Sequence, residues 1–213
     1  MADFQDDPFP ELIRSYDRAV EYRESKQVSA WKKDLRQGFL AALQQEGRNS
    51  LIDIGAGTGV HGLFFQSQGI EVSCIDLSPA LAEQCRSKGL PCRVLSVLDL
   101  PDIGRTFDAA FALNSLLHIP SKLLPDALSN IAKVLGGEGL FYWGQYGGEY
   151  REGIYQDDNY EPKRFFSLLD DSQIQEFASV DFTIEEFDQI QLENSSPLHF
   201  QSMTLRKKTC IKN

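Results

Sequence analysis

Leu51-Ile52-Asp53-Ile54-Gly55-Ala56-Gly57-Thr58-Gly59 is the stretch whose reading decides the fold. A short apolar run ends in glycines at alternate positions, and residues 60–68 follow with helical spacing up to a stop at Gly69. Glycine tolerates positive φ and carries no Cβ, so the backbone turns tightly and comes close to a ligand. The helix that follows aims its free N–H groups at the same spot, which suits an anionic group.

Outward from this turn, strands and helices alternate. The pattern predicts strands over 50–54, 71–75, 92–98, 107–113 and 140–145. Helices are predicted over 60–68, 78–89 and 121–135, the last closed by Gly136-Gly137. Pro79 suits a first helical position, where its missing N–H has no partner in any case. Near-continuous apolar strands joined by helices imply a parallel sheet covered on both faces. Upstream, residues 10–46 read as helical, because Leu12, Ile13, Tyr16, Val20, Leu35, Phe39, Leu40 and Leu43 recur at roughly helical spacing before Gly47. Downstream, a helix over 170–179 precedes two strand-like runs, 183–192 and 198–207. The turn cluster Glu193-Asn194-Ser195-Ser196-Pro197 joins them, which predicts an antiparallel hairpin.

The chain of 213 residues, 42 % hydrophobic, fits a single domain, 1–213. No apolar run approaches the ~20 residues that span a bilayer. The acidic start, Met1-Ala2-Asp3-Phe4-Gln5-Asp6-Asp7, lacks the pattern of a secretion signal, so a cytoplasmic location is expected. Cys74, Cys85, Cys92 and Cys210 form no C-x-x-C pair and have no His at ligand spacing, so neither a metal site nor a disulfide framework is expected. The net charge of −10 is concentrated between Glu149 and Glu193, where 13 acidic residues face Arg151, Lys163 and Arg164. A nucleic-acid partner is therefore not expected, since such proteins carry a basic stripe.

Asp76 ends the second predicted strand, 17 residues beyond Gly59. In open α/β sheets a ligand lies at the carboxyl ends of the strands where their order reverses, and a carboxylate there accepts ribose hydroxyls. Asp99 stands at the corresponding end of the third run, within reach of an adenine amino group.

Taken together, these motifs resemble those of the class I S-adenosylmethionine (SAM)-dependent methyltransferase family, from about residue 50 to 147. Asp53–Gly59 looks like its first motif, Cys74-Ile75-Asp76-Leu77-Ser78 its second and Val97-Leu98-Asp99-Leu100 its third. Phe107-Asp108-Ala109-Ala110-Phe111-Ala112-Leu113-Asn114 resembles the fourth, and Leu135-Gly136-Gly137-Glu138-Gly139-Leu140-Phe141 the next turn and strand, with Gly136 where lysine or arginine with proline is commoner. The terminal hairpin matches too. The resemblance implies an α/β, Rossmann-like doubly wound, mostly parallel seven-stranded sheet ending in that hairpin. It implies a lid over 10–46, a cofactor core over 50–145, an acceptor-side loop over 146–169, and a last helix and hairpin over 170–207.

Roles for particular residues follow from the same resemblance. Gly55, Gly57 and Gly59, with Ala56, would line the methionine part of SAM, and Asp53 would hold its ammonium through water. Asp76 would bind the ribose and Leu77 flank the adenine. Asp99, with Leu100 beside it, would bind the adenine amino group, and Asn114 would close the site. The product would be S-adenosylhomocysteine (SAH).

Other assignments rest on position. His118, just beyond the fourth strand, is the candidate general base, and His61 the candidate extra cofactor contact. Tyr16 or Tyr22 in the leading helices, or Trp31, could cap a sulfonium, since aromatic faces attract cations. The segment 146–169 reads as a loop without regular structure, and Tyr146, Tyr150, Arg164 and Phe165 are its candidate substrate contacts. Its acidity points to a cationic or neutral acceptor. Asn114-Ser115-Leu116-Leu117 replaces the Asn/Asp-Pro-Pro-aromatic motif of enzymes that methylate exocyclic amines of DNA bases, and no Pro-Cys nucleophile is present.

The expected activity is methyl transfer from SAM to an N or O atom of a small molecule. Competing readings are a SAM-binding accessory or scaffold protein without turnover and an RNA methyltransferase. More remote is an NAD(P)-dependent oxidoreductase, suggested by Gly57-Thr58-Gly59-Val60-His61-Gly62, a G-x-G-x-x-G match. Asp53 in the strand, the short chain and the terminal hairpin count against that last reading.

Overall fold

The protein was analysed as a computed structural model that describes residues 7–192 and 198–209. Three helices come first, α1 (Phe9–Arg18), α2 (Val20–Ser25) and α3 (Ala30–Gln45). The expected continuous helical region is thus broken at Ala19 and again over 26–29.

The alternating segment follows: β1 (Ser50–Ile54), α4 (Val60–Ser67), β2 (Glu71–Asp76), α5 (Pro79–Ser87), β3 (Cys92–Val94), β4 (Phe107–Leu113), α6 (Leu124–Val134) and β5 (Leu135–Gly147). A short hairpin of β6 (Arg151–Ile154) and β7 (Phe165–Leu168) comes next, then α7 (Asp171–Asp181), β8 (Phe182–Ile190) and β9 (His199–Lys207).

Seven strands form one sheet in the order β3-β2-β1-β4-β5-β9-β8. The first five run parallel, and β9 pairs antiparallel with both β5 and β8. The chain leaves β1 toward β3 at one edge and returns to lay β4 on the other flank of β1, so a crevice opens where the order reverses. The two β1 registers, Ile54 with Ile75 and Asp53 with Phe111, bring the carboxyl ends of these strands level.

Side-chain alternation sorts the core. Ile52, Ile54, Ala110, Phe141 and Trp143 face α6 and α7, while Leu51, Phe111 and Tyr142 meet Phe39, Leu40 and Leu43 of α3 on the other face. Burying each large apolar side chain contributes ~1.5–3 kcal/mol. Among the described residues, no helix is long and apolar enough to cross a membrane.

Several expectations are corrected. The third strand stops at Val94, and residues 97–103 form a 3-10 turn. Ser96 Oγ there accepts the Leu98 N–H at 3.1 Å, and Pro101 lacks a donor for a strand ladder. Gly136-Gly137 does not close a helix but lies within β5. Three extra residues bulge there, between the pairs Phe107–Leu135 and Ala109–Leu140. The acceptor-side segment is not irregular, because β6 and β7 pair antiparallel, Arg151 opposite Leu168. The last helix begins on a capping box, with Asp170 Oδ1 accepting the Gln173 N–H at 2.8 Å. The terminal hairpin is formed, although its turn, 193–197, lies outside the described residues, as do residues 1–6 and Cys210.

Candidate functional site

The glycine turn is held by backbone bonds that leave little freedom. Gly55 and Gly57 have φ values of 71° and 59°. A Cβ on Gly55 would stand 2.4 Å from Ser115 Cβ, so only glycine fits. The N–H groups of Gly55 and Ala56 both donate to Ile75 C=O, at 2.9 and 3.0 Å, which folds the turn across β2.

Asp76 is fixed from two sides. Its Oδ2 accepts the Gly57 N–H at 2.8 Å and its Oδ1 the Ser78 N–H at 2.9 Å. Ser78 Oγ in turn caps α5 by accepting the Leu81 N–H at 3.1 Å. Burial outweighs these two backbone donors and pushes the Asp76 carboxyl up to about 6.

A cavity of about 70 Å³ opens at the carboxyl ends of β1, β2 and β4, with Gly55, Gly57, Asp76, Leu77 and Asn114 in its wall. Asn114 takes a positive φ of 56°. Its N–H donates to Gly144 C=O at 2.7 Å. Asn114 Oδ1 and Ser115 Oγ are buried without a hydrogen-bond partner. Each such group costs ~1–3 kcal/mol until a partner arrives, so the wall is polarised for a ligand rich in donors.

Leu12 and Tyr16 of α1 and Arg23 of α2 roof the cavity. Arg23 Nη2 lies 3.2 Å from where a Cβ on Gly57 would sit. Asp17 Oδ1 accepts from Ser78 Oγ and from the Ala80 N–H, which ties α1 to the start of α5.

Other expected cofactor residues lie elsewhere. Gly59 (φ 80°) faces α5, where a Cβ would meet Leu90 Cδ1 at 2.7 Å. Ala56 is buried in the core on the α3 side. Asp53 is buried beneath the turn, its Oδ2 unpartnered and 3.5 Å from where a Cβ on Gly62 would sit. Burial, reinforced by Cys85 and Asp76, raises its carboxyl well above the usual range. Asp99 is exposed in the 3-10 turn, outside the cavity wall, because the third strand ends too early to carry it there. Leu100 packs into the core. Tyr22 is 49 % exposed, with Lys26 Nζ 4.3 Å over its ring, so Tyr16 takes the place expected for it. Trp31 packs against Phe200 at 4.8 Å. His61 stacks near Phe111 rather than in the cavity wall.

A second cavity, of about 480 Å³, lies against the β6–β7 hairpin, with Tyr146, Tyr155, Asp158, Arg164 and Phe166 among its walls. Arg164 grips Asp158 through Nε and Nη2, at 2.9 and 2.8 Å, and lies 3.6 Å over the Tyr160 ring. Its Nη1 donates to Tyr16 Oη at 3.0 Å. Tyr16 Oη is also 2.7 Å from His118 Nε2, and His118 Nδ1 is 2.7 Å from Phe165 C=O. A carbonyl only accepts, so Nδ1 carries the ring proton and Nε2 accepts from the tyrosine.

His118 is the expected general base. Both its nitrogens are engaged, and burial lowers its pKa to about 3, which keeps it neutral. Tyr150 is 47 % exposed and bonded to Glu152, away from the cavity wall. Phe165 is buried in β7 and offers its carbonyl rather than its ring; Phe166 occupies the wall instead. Arg23, Asp17 and Ser115 were not singled out from sequence. Arg23 and Asp17 reach the site only because the leading helices fold over the sheet. Ser115 carried a signal, since it follows the strand end at Asn114.

Comparison with known proteins agrees with this geometry. Residues 51–139 match the family model described as a methyltransferase domain. No curated protein sequence matches the chain. Among solved structures, the 1,6-didemethyltoxoflavin N1-methyltransferase of Burkholderia thailandensis, with 1,6-didemethyltoxoflavin and SAH bound, is similar with a TM-score of 0.71 at 20 % identity, over 96 % of this chain and 92 % of that one. The magnesium protoporphyrin IX methyltransferase of Synechocystis with bound SAH is similar at 0.69 and 13 %, over 95 % and 100 %. A SAM-dependent methyltransferase of Clostridium acetobutylicum is similar at 0.65 and 14 %, over 95 % and 100 %. At these identities the structures establish the fold. With the matched domain, the reversed sheet and a glycine turn locked to Asp76, the chain has the Rossmann-like fold of the class I SAM-dependent methyltransferases and is similar to them.

Proposed function

We propose that this protein transfers the methyl group of SAM to a nitrogen or oxygen atom of a small-molecule acceptor by in-line displacement. When bound, SAM supplies an electrophilic methyl carbon on a sulfonium, so the cofactor brings the difficult chemistry. What remains for the chain is binding and alignment, and positioning alone supplies ~7–11 kcal/mol.

Asp76 accepts the ribose hydroxyls with the lone pairs its two backbone donors leave free. Leu77 flanks the adenine. Gly55 and Gly57 carry the amino-acid tail, with Arg23 opposite its carboxylate and the unpaired oxygens of Asn114 and Ser115 accepting from its ammonium. Tyr16, which His118 and Arg164 hold in place as positioning residues, would offer its ring to the sulfonium. An acceptor that reacts as a neutral amine needs no general base.

The labour divides within a single domain. Residues 10–46 form the lid, 50–145 the cofactor core and 146–169 the acceptor wall, and 170–207 complete the sheet. The observation that carries this reading is the meeting of Asp76, Leu77, Asn114 and the glycine turn at one cavity over the switch point. A small-molecule acceptor is supported by the structurally similar toxoflavin-precursor enzyme, which holds one.

Titration calorimetry with SAM and SAH, followed by a metabolite screen with methyl-labelled SAM, tests the proposal. Binding of both and transfer of label to a small molecule are expected. Binding without transfer to any extract would leave a scaffold, transfer to RNA alone would change the acceptor class, and no binding would overturn the reading.

A further inference from the structure

Three cations lie near the glycine turn, the end of β5 and the start of α4, where Arg23 approaches Gly57, Lys32 bonds Tyr146, and Arg36 Nη1 donates to Val60 C=O at 3.5 Å. Arg23 lies on α2, and Lys32 and Arg36 lie one turn apart on α3, where side chains four residues apart share a face. None of these three forms an ion pair among the described residues. Lys32 Nζ donates to Tyr146 Oη at 3.2 Å, which sets it against the wall of the larger cavity. Its ammonium lies 5.0 Å from the Trp31 ring and 5.1 Å from the Tyr146 ring. Burial, with repulsion from Arg23 and Lys26, lowers its pKa to about 8.

Two buried atoms nearby lack partners. Arg36 stacks 4.2 Å over the Phe64 ring, and its Nε is buried with no acceptor. His61 Nδ1 is also buried and unpartnered. Burial, then Arg36, Lys32 and Arg23, depress the His61 pKa to about 3, so all three cations act on one spot. Lys32 and Arg36 are half-buried, and an entering anion would offset the desolvation that part-burial costs them. The cofactor brings one carboxylate, and Arg23 over Gly57 meets it. Lys32 and Arg36 remain without a counter-charge.

We propose that Lys32 and Arg36 form an oxyanion subsite for a carboxylate or phosphate group carried by the methyl acceptor, a proposal that rests on the methyltransferase reading above. The acidity of residues 149–193 is only partly offset at the cavity, because, of Glu152, Asp157 and Asp158 in its wall, Asp158 alone has an ion pair among the described residues. Asp158 pairs with Arg164, Glu149 with Arg151, and Glu152 bonds Ser121 and Tyr150. On this proposal the acceptor carries an anionic group, where the sequence suggested a cationic or neutral one.

The test uses the full chain saturated with SAH and three probes of similar size: benzoate, phenyl phosphate and neutral benzamide. Calorimetry should show binding of one or both anions and not of benzamide, and the tighter anion identifies the group. Lys32→Met and Arg36→Met should each weaken that binding at least 10-fold while SAH affinity is unchanged, and Lys32→Arg should restore it. Equal binding of benzamide, anion binding unaffected in both Met variants, or no anion binding by the SAH complex overturns the subsite. Anions that compete with SAH would assign the cluster to the cofactor tail and overturn it as well. Failure of SAH itself to bind overturns the cofactor reading, and with it this one.

Discussion

At the proposed cofactor end of the crevice, Gly57 bonds Asp76 across 19 positions of chain; toward the proposed acceptor end, Tyr16 reaches His118 across 102 positions and Arg164 across 148. The first contact is made by two neighbouring strand ends and a backbone N–H. The second needs a lid helix, a 3-10 turn and a surface hairpin to meet. Local backbone rules build one end and tertiary packing the other. They should therefore respond differently to perturbation, since a local site fails with one residue while a packed one loses alignment.

Asp76→Ala gives the largest expected effect. It removes the ribose acceptor and two charge-assisted bonds, each worth ~1.5–3 kcal/mol, so SAH affinity should fall ~100-fold or more. Calorimetry with wild-type affinity would break the contrast between the two ends.

Titration of the same carboxyl comes next. Ribose hydroxyls donate to the ionised form, and the free-protein value is about 6, raised from 3.8. Below that value binding must first expel a proton, so SAH affinity should drop ~10-fold per pH unit, or ~1.4 kcal/mol. The stability of the free protein runs the other way. The folded chain holds a proton that the unfolded chain has lost, so stability falls as pH rises from about 4 to 6. Calorimetry and urea melts at pH 5, 6 and 7 read both slopes.

At the acceptor end, Tyr16→Phe strands His118 Nε2 without a donor, a cost of ~1–3 kcal/mol. Methyl transfer to an identified acceptor should slow ~10-fold, while SAH affinity stays within ~3-fold. An equal loss in both would show that the lid serves the cofactor more than the acceptor. The smallest effect belongs to Asp99→Ala, which lies on the surface and should change SAH affinity less than ~2-fold. A large loss there would return the carboxylate to the adenine site.

Much of the cofactor end was legible because its signals are short-range. β1 and β4 have the predicted bounds, and the antiparallel end of the sheet follows from the two runs that form it. The errors have local causes as well. Val97 and Leu98 look like strand, but Ser96 captures the Leu98 N–H and turns the chain away, carrying Asp99 outward. Tyr16 and Tyr22 cannot be ranked by composition, yet Tyr16 stands four residues after buried Leu12 on the same helix, whereas Tyr22 lies beyond the break at Ala19. The acceptor end was not legible. Nothing near His118 announces that Phe165 and Tyr16 will occupy its two nitrogens.

Helix α1 is fastened on both of its flanks. Asp17 holds Ser78 and Ala80 on one side; Ser15 Oγ donates to Pro162 C=O and Arg18 to Glu161 C=O on the other. The space beneath it, about 70 Å³, is well short of the ~300–1,000 Å³ of a typical ligand pocket. Admitting a nucleoside therefore means lifting a bar that is latched at two posts, and lifting it unlatches the neighbouring hairpin in the same stroke. On the proposed function, one movement of α1 would open the cofactor cavity and loosen the β6–β7 segment together.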